Sequence, residues 1–223
     1  MNPALRSSAA HVFVESLLSP VLSTDDVHHL RRVLRLRATD RISISDGRGG
    51  WAIGVLAADD QVELLADVVR EDAASPVTIA VGIPKGDRPE WMVQKLTELG
   101  VGTIAFMECA RSVVRWDGER GERQLARLRR VAREAAMQSR RVWLPTIPPV
   151  QPFAAVAASP GAAVAEPGGG PLGASISTVL IGPEGGFTTD ELACGAPLID
   201  LSDQVLRVET AALVAAVLLT RSR

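Results

Sequence analysis

A glycine-rich turn followed by a helix start is the sharpest chemical feature of the sequence. Residues 180–191 read Leu-Ile-Gly-Pro-Glu-Gly-Gly-Phe-Thr-Thr-Asp-Glu: an apolar run ends in glycines, and the pair Thr188 and Glu191 suits a helix N-terminus. Glycine lets the backbone approach a ligand closely, and the helix start offers free N–H groups. The segment is neither a Walker loop nor a dinucleotide fingerprint, because it lacks Gly-Lys-Ser/Thr and GxGxxG. It therefore indicates a ligand-binding loop of another kind, with an ordinary β–α turn as the alternative.

A second loop places a single cation immediately before a helix. Residues 201–211 read Leu-Ser-Asp-Gln-Val-Leu-Arg-Val-Glu-Thr-Ala, and Arg207 is the only basic residue between Arg141 and Arg221. A cation inside a pocket requires an anionic partner, so Arg207 is a candidate for stabilising negative charge. The alternative is structural: Arg207 can pair on the surface with Glu209 or Asp203, while Glu209 stabilises the first helical turn.

Basic residues are concentrated in one part of the chain. The net charge is only -2, and Arg outnumbers Lys by 22 to 2, which is typical of a high-GC genome. Between Arg111 and Arg141, however, there are ten arginines and four carboxylates, whereas residues 142–206 contain six carboxylates and no Lys or Arg. This separation predicts a face that binds a polyanion beside a different kind of pocket.

The composition argues against several classes of protein. Cys109 and Cys194 have no CxxC or Cys/His spacing around them, so we expect buried thiols, no disulfide framework and no metal site. The first twenty residues lack the basic and apolar regions of a secretory signal. The longest apolar run, residues 211–219, is too short to span a bilayer. We therefore expect a cytoplasmic protein with no membrane role.

The N-terminal part of the chain has the pattern of a small β-barrel with one helix. The helix is predicted over residues 24–36, with Ser23 or Thr24 at its start. Residues 71–76 are polar and end in proline, which places a domain boundary there and a first domain at residues 1–72. The predicted strands are residues 11–17, 40–45, 51–57 and 62–68.

The remainder, residues 77–223, alternates strands with helices, which is typical of an α/β fold with a parallel sheet. Asp87 and Glu90 occupy capping-box positions before one helix, and Gly100 ends it. A long helix over residues 119–139 has apolar residues on one face and arginines on the other. The predicted strands are residues 77–83, 102–107, 162–165, 178–181 and 197–201, and a final helix begins at residue 209.

Five motifs, in order, resemble those of the RsmE family over nearly the whole chain. They are Lys-Gly-Asp (85–87) leading to Thr-Glu-Leu-Gly-Val (97–101), Arg-Ser-Val (111–113), Arg-Glu-Ala (133–135) leading to Gln-Ser-Arg-Arg (138–141), Gly-Pro-Glu-Gly-Gly-Phe (182–187) and Leu-Arg-Val-Glu-Thr-Ala (206–211). The resemblance implies a PUA-like barrel followed by a SPOUT methyltransferase domain with a trefoil knot. It also implies S-adenosylmethionine-dependent methylation of N3 of a uridine in 16S ribosomal RNA of the small subunit, by a homodimer.

The resemblance further implies three cofactor loops, at residues 165–167, 181–186 and 201–207. The third loop has Ser-Asp-Gln at positions 202–204, where the family more often has a turn resembling Gly-Pro-Arg. The implied cofactor-binding residues are Glu166, Ile181, Gly182, Pro183, Glu184, Gly185, Gly186, Leu201, Val205, Leu206 and Arg207.

Uridine N3 is a poor nucleophile until its proton leaves, so the site needs a base or a group that stabilises the developing anion. Arg207 is the candidate for stabilising the uracil and Glu209 for accepting the proton, with Glu184 as the rival base. Phosphate contacts are expected from arginines of both domains. The candidate RNA-binding residues are Arg31, Arg32, Arg35, Arg111, Arg123, Arg127 and Arg130.

Two other functions stay open at this point. A noncatalytic RNA-binding or ribosome-assembly factor would share the basic faces but would not need the glycine-rich loops. A methyltransferase of a related SPOUT branch that acts on transfer RNA would share the cofactor site but not the barrel arrangement.

Overall fold

The computed structural model describes residues 2–221, which form two compact units. The first unit contains the chain up to Ala74 together with Glu134–Leu144, and the second contains Ser75–Arg133 together with the chain from Pro145 onward. Both segments of the first unit contribute to its core, since Trp51 packs in one cluster with Leu5 and Val142. The domain boundary between residues 72 and 77 stays a prediction.

The first unit is built on a five-stranded mixed sheet. β1 pairs parallel with β2, β2 pairs antiparallel with β3, and both β4 and β5 pair antiparallel with β3. Inward side chains such as Val12, Ile42, Ile44 and Leu56 are fully buried. Within the described residues the ladders run along a path from β1 to β4, so the β-rich unit predicted as a barrel is a mixed sheet. The strands are β1 (Ala10–Phe13), β2 (Arg41–Ser45), β3 (Gly50–Leu56), β4 (Val62–Leu64) and β5 (Val69–Arg70).

The helical part of this unit differs from the prediction. A short helix α1 (Pro3–Ser7) precedes β1, and α2 (Thr24–His28) passes directly into a π-helical turn (His29–Val33). The predicted cap is confirmed, because the Ser23 side chain accepts a hydrogen bond from the Asp26 N–H at 3.1 Å. The predicted single α-helix to residue 36 was wrong, because the hydrogen bonding widens after His28 and the chain leaves helical geometry by Arg35, whose φ is 54°. The strands predicted to reach residues 17 and 68 end at Phe13 and Leu64.

One histidine is buried in the first unit as a neutral group. His11 is 3% exposed, its Nε2 lies 3.0 Å from the carbonyl oxygen of Arg141, and its Nδ1 lies 2.8 Å from Oγ of Ser43. Nε2–H therefore donates to the carbonyl, and Nδ1 accepts from the hydroxyl. Burial, together with the smaller effect of the Arg140 charge, lowers the pKa of His11 to about 4 against the opposing effect of the hydrogen bond to the Arg141 carbonyl.

We expect this histidine to make the protein less stable in mild acid. The unfolded chain binds a proton on His11 near pH 6.5, whereas the folded protein does so only near pH 4. The contribution is complete above pH 6.5 and is lost as the pH falls from 6.5 to 4, for a total of about 3 kcal/mol. Urea unfolding of the wild type and His11→Asn at several pH values should show a flatter pH dependence for the variant. His28→Asn, which changes an exposed histidine, is the matched control and should retain the wild-type slope. Parallel curves for wild type and His11→Asn would contradict the expectation.

The second unit is built on a six-stranded parallel sheet in the order β11-β9-β10-β6-β7-β8. The predicted parallel α/β arrangement is therefore confirmed. Its strands are β6 (Thr78–Gly82), β7 (Thr103–Glu108), β8 (Gln151–Pro152), β9 (Ala162–Gly170), β10 (Thr178–Ile181) and β11 (Leu198–Ile199). Its helices are α3 (Arg88–Glu98), α4 (Gly118–Ser139, whose last residues belong to the first unit), α5 (Phe153–Ala157), α6 (Thr189–Leu192) and α7 (Val208–Arg221).

The central strands are buried on both faces, which explains their continuous apolar runs. In β6, Ile79 and Val81 belong to one core cluster, whereas the intervening Ala80 belongs to another. The first cluster contains apolar residues of α3, α4 and α7, and the second contains Phe153 and Val156 of α5. Alternate residues of each strand thus anchor helices on opposite sides and hold the strand ends in fixed positions.

Several local predictions for this unit need correction. The Asp87 side chain makes no cap hydrogen bond, although its backbone is at the N-cap of α3. The strand predicted to end at residue 165 extends to Gly170, and the one predicted to end at residue 201 stops at Ile199. Cys109 is buried as expected, and burial raises the pKa of its thiol to about 12, whereas Cys194 is exposed. No helix in the described part of the chain combines the length and apolarity needed to cross a membrane.

Candidate active site

A cleft of about 600 Å³ lies at the carboxyl ends of β9, β10 and β11. These strands are neighbours in the sheet, so the three segments that follow or interrupt them converge on one space. Ligands of open parallel sheets bind at this edge, outside the carboxyl ends of the strands. The cleft is lined by Arg88, Ala165, Glu166, Pro167, Ile181, Gly182, Pro183, Glu184, Gly186, Phe187, Asp200, Leu201, Ser202, Gln204, Val205, Leu206, Arg207, Val208 and Ala211.

The first wall of the cleft is an excursion within β9. In the parallel pairing of β9 with β11, Leu198 lies opposite Val164, but the next residue, Ile199, lies opposite Gly170. Residues 165–169 therefore bulge out of this pairing. Gly168 has φ of 80°, and a Cβ added at Gly169 would lie 2.6 Å from the carbonyl carbon of Ile199. The consecutive glycines in Glu-Pro-Gly-Gly-Gly therefore permit the bulge, which places residues 165–167 on the cleft.

The second wall is the glycine-rich turn after β10. A Cβ added at Gly182 would lie 3.1 Å from the Phe187 ring, and one added at Gly82 would lie 2.7 Å from the backbone nitrogen of Pro183. These contacts hold the turn close against its neighbours. The helix start after the turn is confirmed as a capping box. The Thr188 N–H donates to Oε2 of Glu191 at 2.8 Å, and the Glu191 N–H donates to Oγ1 of Thr188 at 3.2 Å. The other carboxylate oxygen of Glu191 accepts from the Ala110 N–H at 2.8 Å, which fixes the loop after β7.

The third wall follows β11 and contains neither glycine nor proline. Asp200 accepts hydrogen bonds from the N–H groups of Ser202 and Gly168, each at 3.1 Å, and the Ser202 hydroxyl accepts from the Gln204 N–H at 3.2 Å. Short polar side chains thus turn the backbone here. Hydrogen bonds from the N–H groups of Ser202 and Gly168 hold the pKa of Asp200 below its usual value.

Arg207 lies at the junction of the third wall and α7. Its carbonyl accepts from the Ala211 N–H at 2.8 Å, and its exposed side chain lines the cleft. Among residues 2–221, no carboxylate lies within ion-pair distance of Arg207, so the surface pairs with Asp203 or Glu209 do not form. Glu209, in the first turn of α7, has a buried Oε2 with no hydrogen-bond partner among those residues. Such an oxygen is destabilising unless a ligand or solvent group satisfies it.

The second cation of the cleft is already paired. Arg88, at the start of α3, places Nη1 3.0 Å from Oε1 of Glu184, which also accepts weakly from the Lys85 N–H at 3.5 Å. Sequence reasoning missed Arg88, although it directly follows the Lys-Gly-Asp motif. It also missed Asp200, whose only sequence signal is an acidic residue at the end of a predicted strand.

The cleft brings together most of the residues predicted for it, but not all of them. Gly185 and Glu209 do not line the cleft. Gly185 instead offers its carbonyl to Nη1 of Arg111 at 3.0 Å, so this predicted RNA-binding residue lies against the glycine-rich turn. No cluster of three or more His, Cys, Asp or Glu side chains suitable for a metal occurs between residues 2 and 221.

The other predicted RNA-binding arginines differ in their contacts. Arg31 is held by Asp60 at 3.2 Å and by the Ala57 carbonyl, whereas Arg32 and Arg35 are exposed. On α4, Arg123 pairs with Glu119 at 3.2 Å, Arg127 pairs with Glu90 at 2.9 Å, and Arg130 is exposed. Exposed pairs of this kind are weak and leave the guanidinium groups accessible.

Comparison with known proteins connects this chain to one enzyme family. Residues 71–220 match the RNA methyltransferase domain family, and residues 22–65 match the RNA methyltransferase PUA domain family. Ribosomal RNA small subunit methyltransferase E of Mycobacterium bovis is 32% identical over 87% of this chain and 83% of its own length, and the Bacillus subtilis protein of the same name is 31% identical over 87% and 86%.

The chain belongs to the ribosomal RNA small subunit methyltransferase E family. The fold agrees with this membership: a structure of the Neisseria gonorrhoeae member bound to S-adenosyl methionine has a TM-score of 0.79, with 28% identity over 94% of this chain and 96% of that one. A probable rRNA-methyltransferase from Porphyromonas gingivalis has a TM-score of 0.77, with 31% identity over 93% and 95%. Residues 22–65 of the first unit thus belong to the PUA-like part of the family, and the six-stranded sheet belongs to its SPOUT methyltransferase part.

Proposed function

We propose that the protein transfers a methyl group from S-adenosylmethionine to N3 of a uridine in 16S ribosomal RNA of the small ribosomal subunit. The observation that carries this proposal is the cleft itself: three loops from adjacent parallel strands converge on about 600 Å³ in a member of an RNA methyltransferase family. The Neisseria gonorrhoeae relative in complex with S-adenosyl methionine supports the choice of cofactor.

The groups lining the cleft fit this cofactor. S-Adenosylmethionine supplies a methyl group activated by a positively charged sulfonium, and it also carries an ammonium and a carboxylate. The cleft presents the carboxylates of Glu166 and Glu184 and the guanidinium groups of Arg88 and Arg207. Both oxygens of a third carboxylate, that of Asp200, already accept hydrogen bonds from the Gly168 and Ser202 N–H groups. Apolar side chains and glycine backbone between these charges suit an adenosine group. The proposed cofactor-binding residues are Glu166, Ile181, Gly182, Pro183, Glu184, Gly186, Leu201, Val205 and Leu206, with Gly185 supporting the turn from outside the cleft. Arg207 also lines the cleft, but its guanidinium is assigned to the uracil.

Arg207 and Glu209 act on the uracil in this proposal. Deprotonation of N3 places negative charge on the flanking carbonyl oxygens, and the unpaired guanidinium of Arg207 donates hydrogen bonds to one of them. Glu209 accepts the N3 proton through an intervening water, because Glu209 does not itself line the cleft, although its neighbour Val208 does. Glu184 is less suited to be the base, since Arg88 and the Lys85 N–H already occupy its Oε1.

Membership of the family also supports proposals for the domains, the assembly and the location of the protein. We propose a PUA-like RNA-binding domain at residues 1–72, a knotted SPOUT domain at residues 77–223, a homodimeric assembly and a cytoplasmic location. Phosphates are contacted by Arg32, Arg35, Arg111, Arg123, Arg127 and Arg130, and less by Arg31, whose guanidinium is held within its own unit.

RNA affinity should fall steeply with salt, and the α4 arginines should account for part of that dependence. Each phosphate neutralised on duplex RNA or DNA releases counterions and adds close to one unit to the slope of log K against log salt. Replacement of Arg123, Arg127 and Arg130 by alanine should therefore reduce the slope by up to about three units. Binding to a small-subunit RNA fragment, measured by fluorescence anisotropy between 50 and 300 mM salt, gives this slope.

A variant of equal net charge is the control for this experiment. Arg6, Arg37 and Arg48 are exposed arginines of the first unit that are outside the proposed interface. Their combined replacement by alanine should leave the slope close to the wild-type value. An equal change in both triple variants would show a general charge effect and remove α4 from the interface.

The reaction is tested by the modified nucleoside itself. Mass spectrometry of 16S RNA from a strain lacking the gene should show loss of one N3-methyluridine, which reappears when purified protein and S-adenosylmethionine are added to the isolated subunits. Loss of a methyl group from transfer RNA instead would favour the related SPOUT activity. Intact modification together with defective subunit assembly would favour a noncatalytic factor.

A further inference from the structure

We propose that Asp200 is a positioning residue that holds the first and third walls of the cleft in their cofactor-binding arrangement. This inference rests on the proposed function, since the arrangement matters for binding S-adenosylmethionine. Asp200 is absent from the motifs recognised in the sequence and does not belong to the pair of residues proposed to act on the uracil.

The hydrogen bonds of Asp200 join two segments that are 32 residues apart in sequence. Its Oδ2 accepts from the N–H of Gly168 in the β9 excursion, and its Oδ1 accepts from the N–H of Ser202 in the third wall, both at 3.1 Å. Its own N–H donates to the carbonyl of Gly170 at 2.8 Å, at the far end of the same excursion. One residue thus ties down both the bulge and the loop after β11.

Within the part of the chain that the structure describes, no other side-chain hydrogen bond joins the two walls. The excursion, residues 165–169, contains two glycines beside one proline, and glycine has the greatest backbone freedom of any residue. The third wall lacks proline, and Ser202 and Gln204 are joined only by a local turn. Without the Asp200 carboxylate, both walls would sample more conformations, and ordering them would oppose cofactor binding.

The chemistry of the carboxylate suits this role. An ionised carboxylate can accept at both oxygens simultaneously, and its hydrogen bonds with backbone N–H groups are stronger than those of a neutral acceptor. An asparagine of the same shape can accept at one oxygen only, and its NH₂ group would face an N–H donor. Asp200→Asn is therefore a near-isosteric change that breaks one of the two links.

The test compares cofactor binding, loop order and turnover in three proteins. We expect Asp200→Asn and Asp200→Ala to bind S-adenosylmethionine and S-adenosylhomocysteine at least tenfold more weakly by calorimetry, with the alanine variant weaker. Hydrogen exchange should show faster exchange of the peptides that contain Gly168 and Ser202. At saturating cofactor the turnover should stay within a few-fold of wild type, because Asp200 positions the loops and does not touch the uracil.

Asp203→Asn is the matched control, since this exposed carboxylate lies in the same loop and has no ion pair or hydrogen bond to another described residue. It should behave as wild type in all three measurements. Wild-type cofactor affinity in both Asp200 variants, or an equal loss in Asp203→Asn, would overturn the role of Asp200. Failure of the wild-type protein to bind either compound would instead refute the proposed function.

Discussion

Arg207→Ala is expected to lower the rate of methyl transfer about a hundredfold or more while leaving cofactor affinity and the folded state largely intact. Arg207 lines the cleft, and no carboxylate pairs with it in the part of the chain that the structure describes. The other guanidinium of the cleft, that of Arg88, is paired with Glu184 at 3.0 Å. Arg207 is thus the cleft cation available to a new negative charge.

The size of the effect follows from where that charge develops. The uracil is neutral when it binds and becomes anionic only as its N3 proton leaves, so a fixed guanidinium interacts more strongly with the transition state than with bound substrate. An interaction of this kind changes the rate of the chemical step and has little effect on ground-state binding. Removal of an unpaired, exposed arginine also leaves no buried charge behind, so the fold should tolerate it.

Single-turnover methylation of isolated small subunits measures this rate, with calorimetry of the cofactor in parallel. Arg207→Lys, which keeps the charge but loses the planar pair of donors, should recover only part of the rate. Arg221→Ala, at the other end of α7, is the control for removal of an exposed arginine. Rates within a few-fold of wild type would make Arg207 structural and move the assignment to Glu184 or to a partner chain. A collapse of cofactor affinity would place Arg207 in the cofactor site alone.

Gly182→Val should nearly abolish cofactor binding in a protein that still folds. A Cβ at this position would lie 3.1 Å from the Phe187 ring, and Phe187 is itself buried and lines the cleft. The branched methyl groups of valine would have to enter the cleft or displace this ring. The backbone at Gly182 would then no longer be open to a ligand, and we expect a loss of at least a hundredfold in affinity for S-adenosylmethionine.

Two alanine variants separate the steric effect from the general effect of replacing glycine. Gly173 lies outside the cleft, and its added Cβ would be 3.9 Å from the nearest atom beyond its chain neighbours, so Gly173→Ala should bind like wild type. Gly182→Ala should lie between wild type and Gly182→Val. The same loss in Gly185→Val, whose added Cβ meets Arg111 at 3.3 Å outside the cleft, would indicate disruption of the whole turn. Undiminished binding in a folded Gly182→Val protein would place the cofactor elsewhere.

Local signals in the sequence were sufficient to predict most of the strands and helices of the second unit. The strand over residues 178–181 was predicted with the observed bounds, because a threonine and three apolar residues are flanked by serine and glycine. The capping box of Thr188 and Glu191 was predicted because its residues interact at a spacing of three. Both features depend on neighbours in the chain, and such features are encoded locally.

Other features were missed or misjudged, and two of them depend on residues that are far apart in the chain. The π-helical turn after His28 breaks a helix that the periodicity extended to residue 36. The strand expected after residue 197 ends at Ile199, where Asp200 turns to bond Gly168. The pairing of Arg88 with Glu184 joins residues 96 positions apart, so no local pattern could indicate that one cleft cation is already neutralised.

The sequence by itself determined the fold class, the family and the residues of the glycine-rich turn and of the loop before α7. These follow from apolar periodicity, glycine placement and ordered motifs, all of which are properties of short segments. Only the tertiary structure decided which of those residues share the cleft, that Gly185 and Glu209 are outside its lining, and that Arg207 rather than Arg88 is unpaired among the described residues. The physical reason is that a parallel sheet brings together strand ends that are far apart in the chain, and the hydrogen bonds and ion pairs between them depend on distances that the order of residues does not specify.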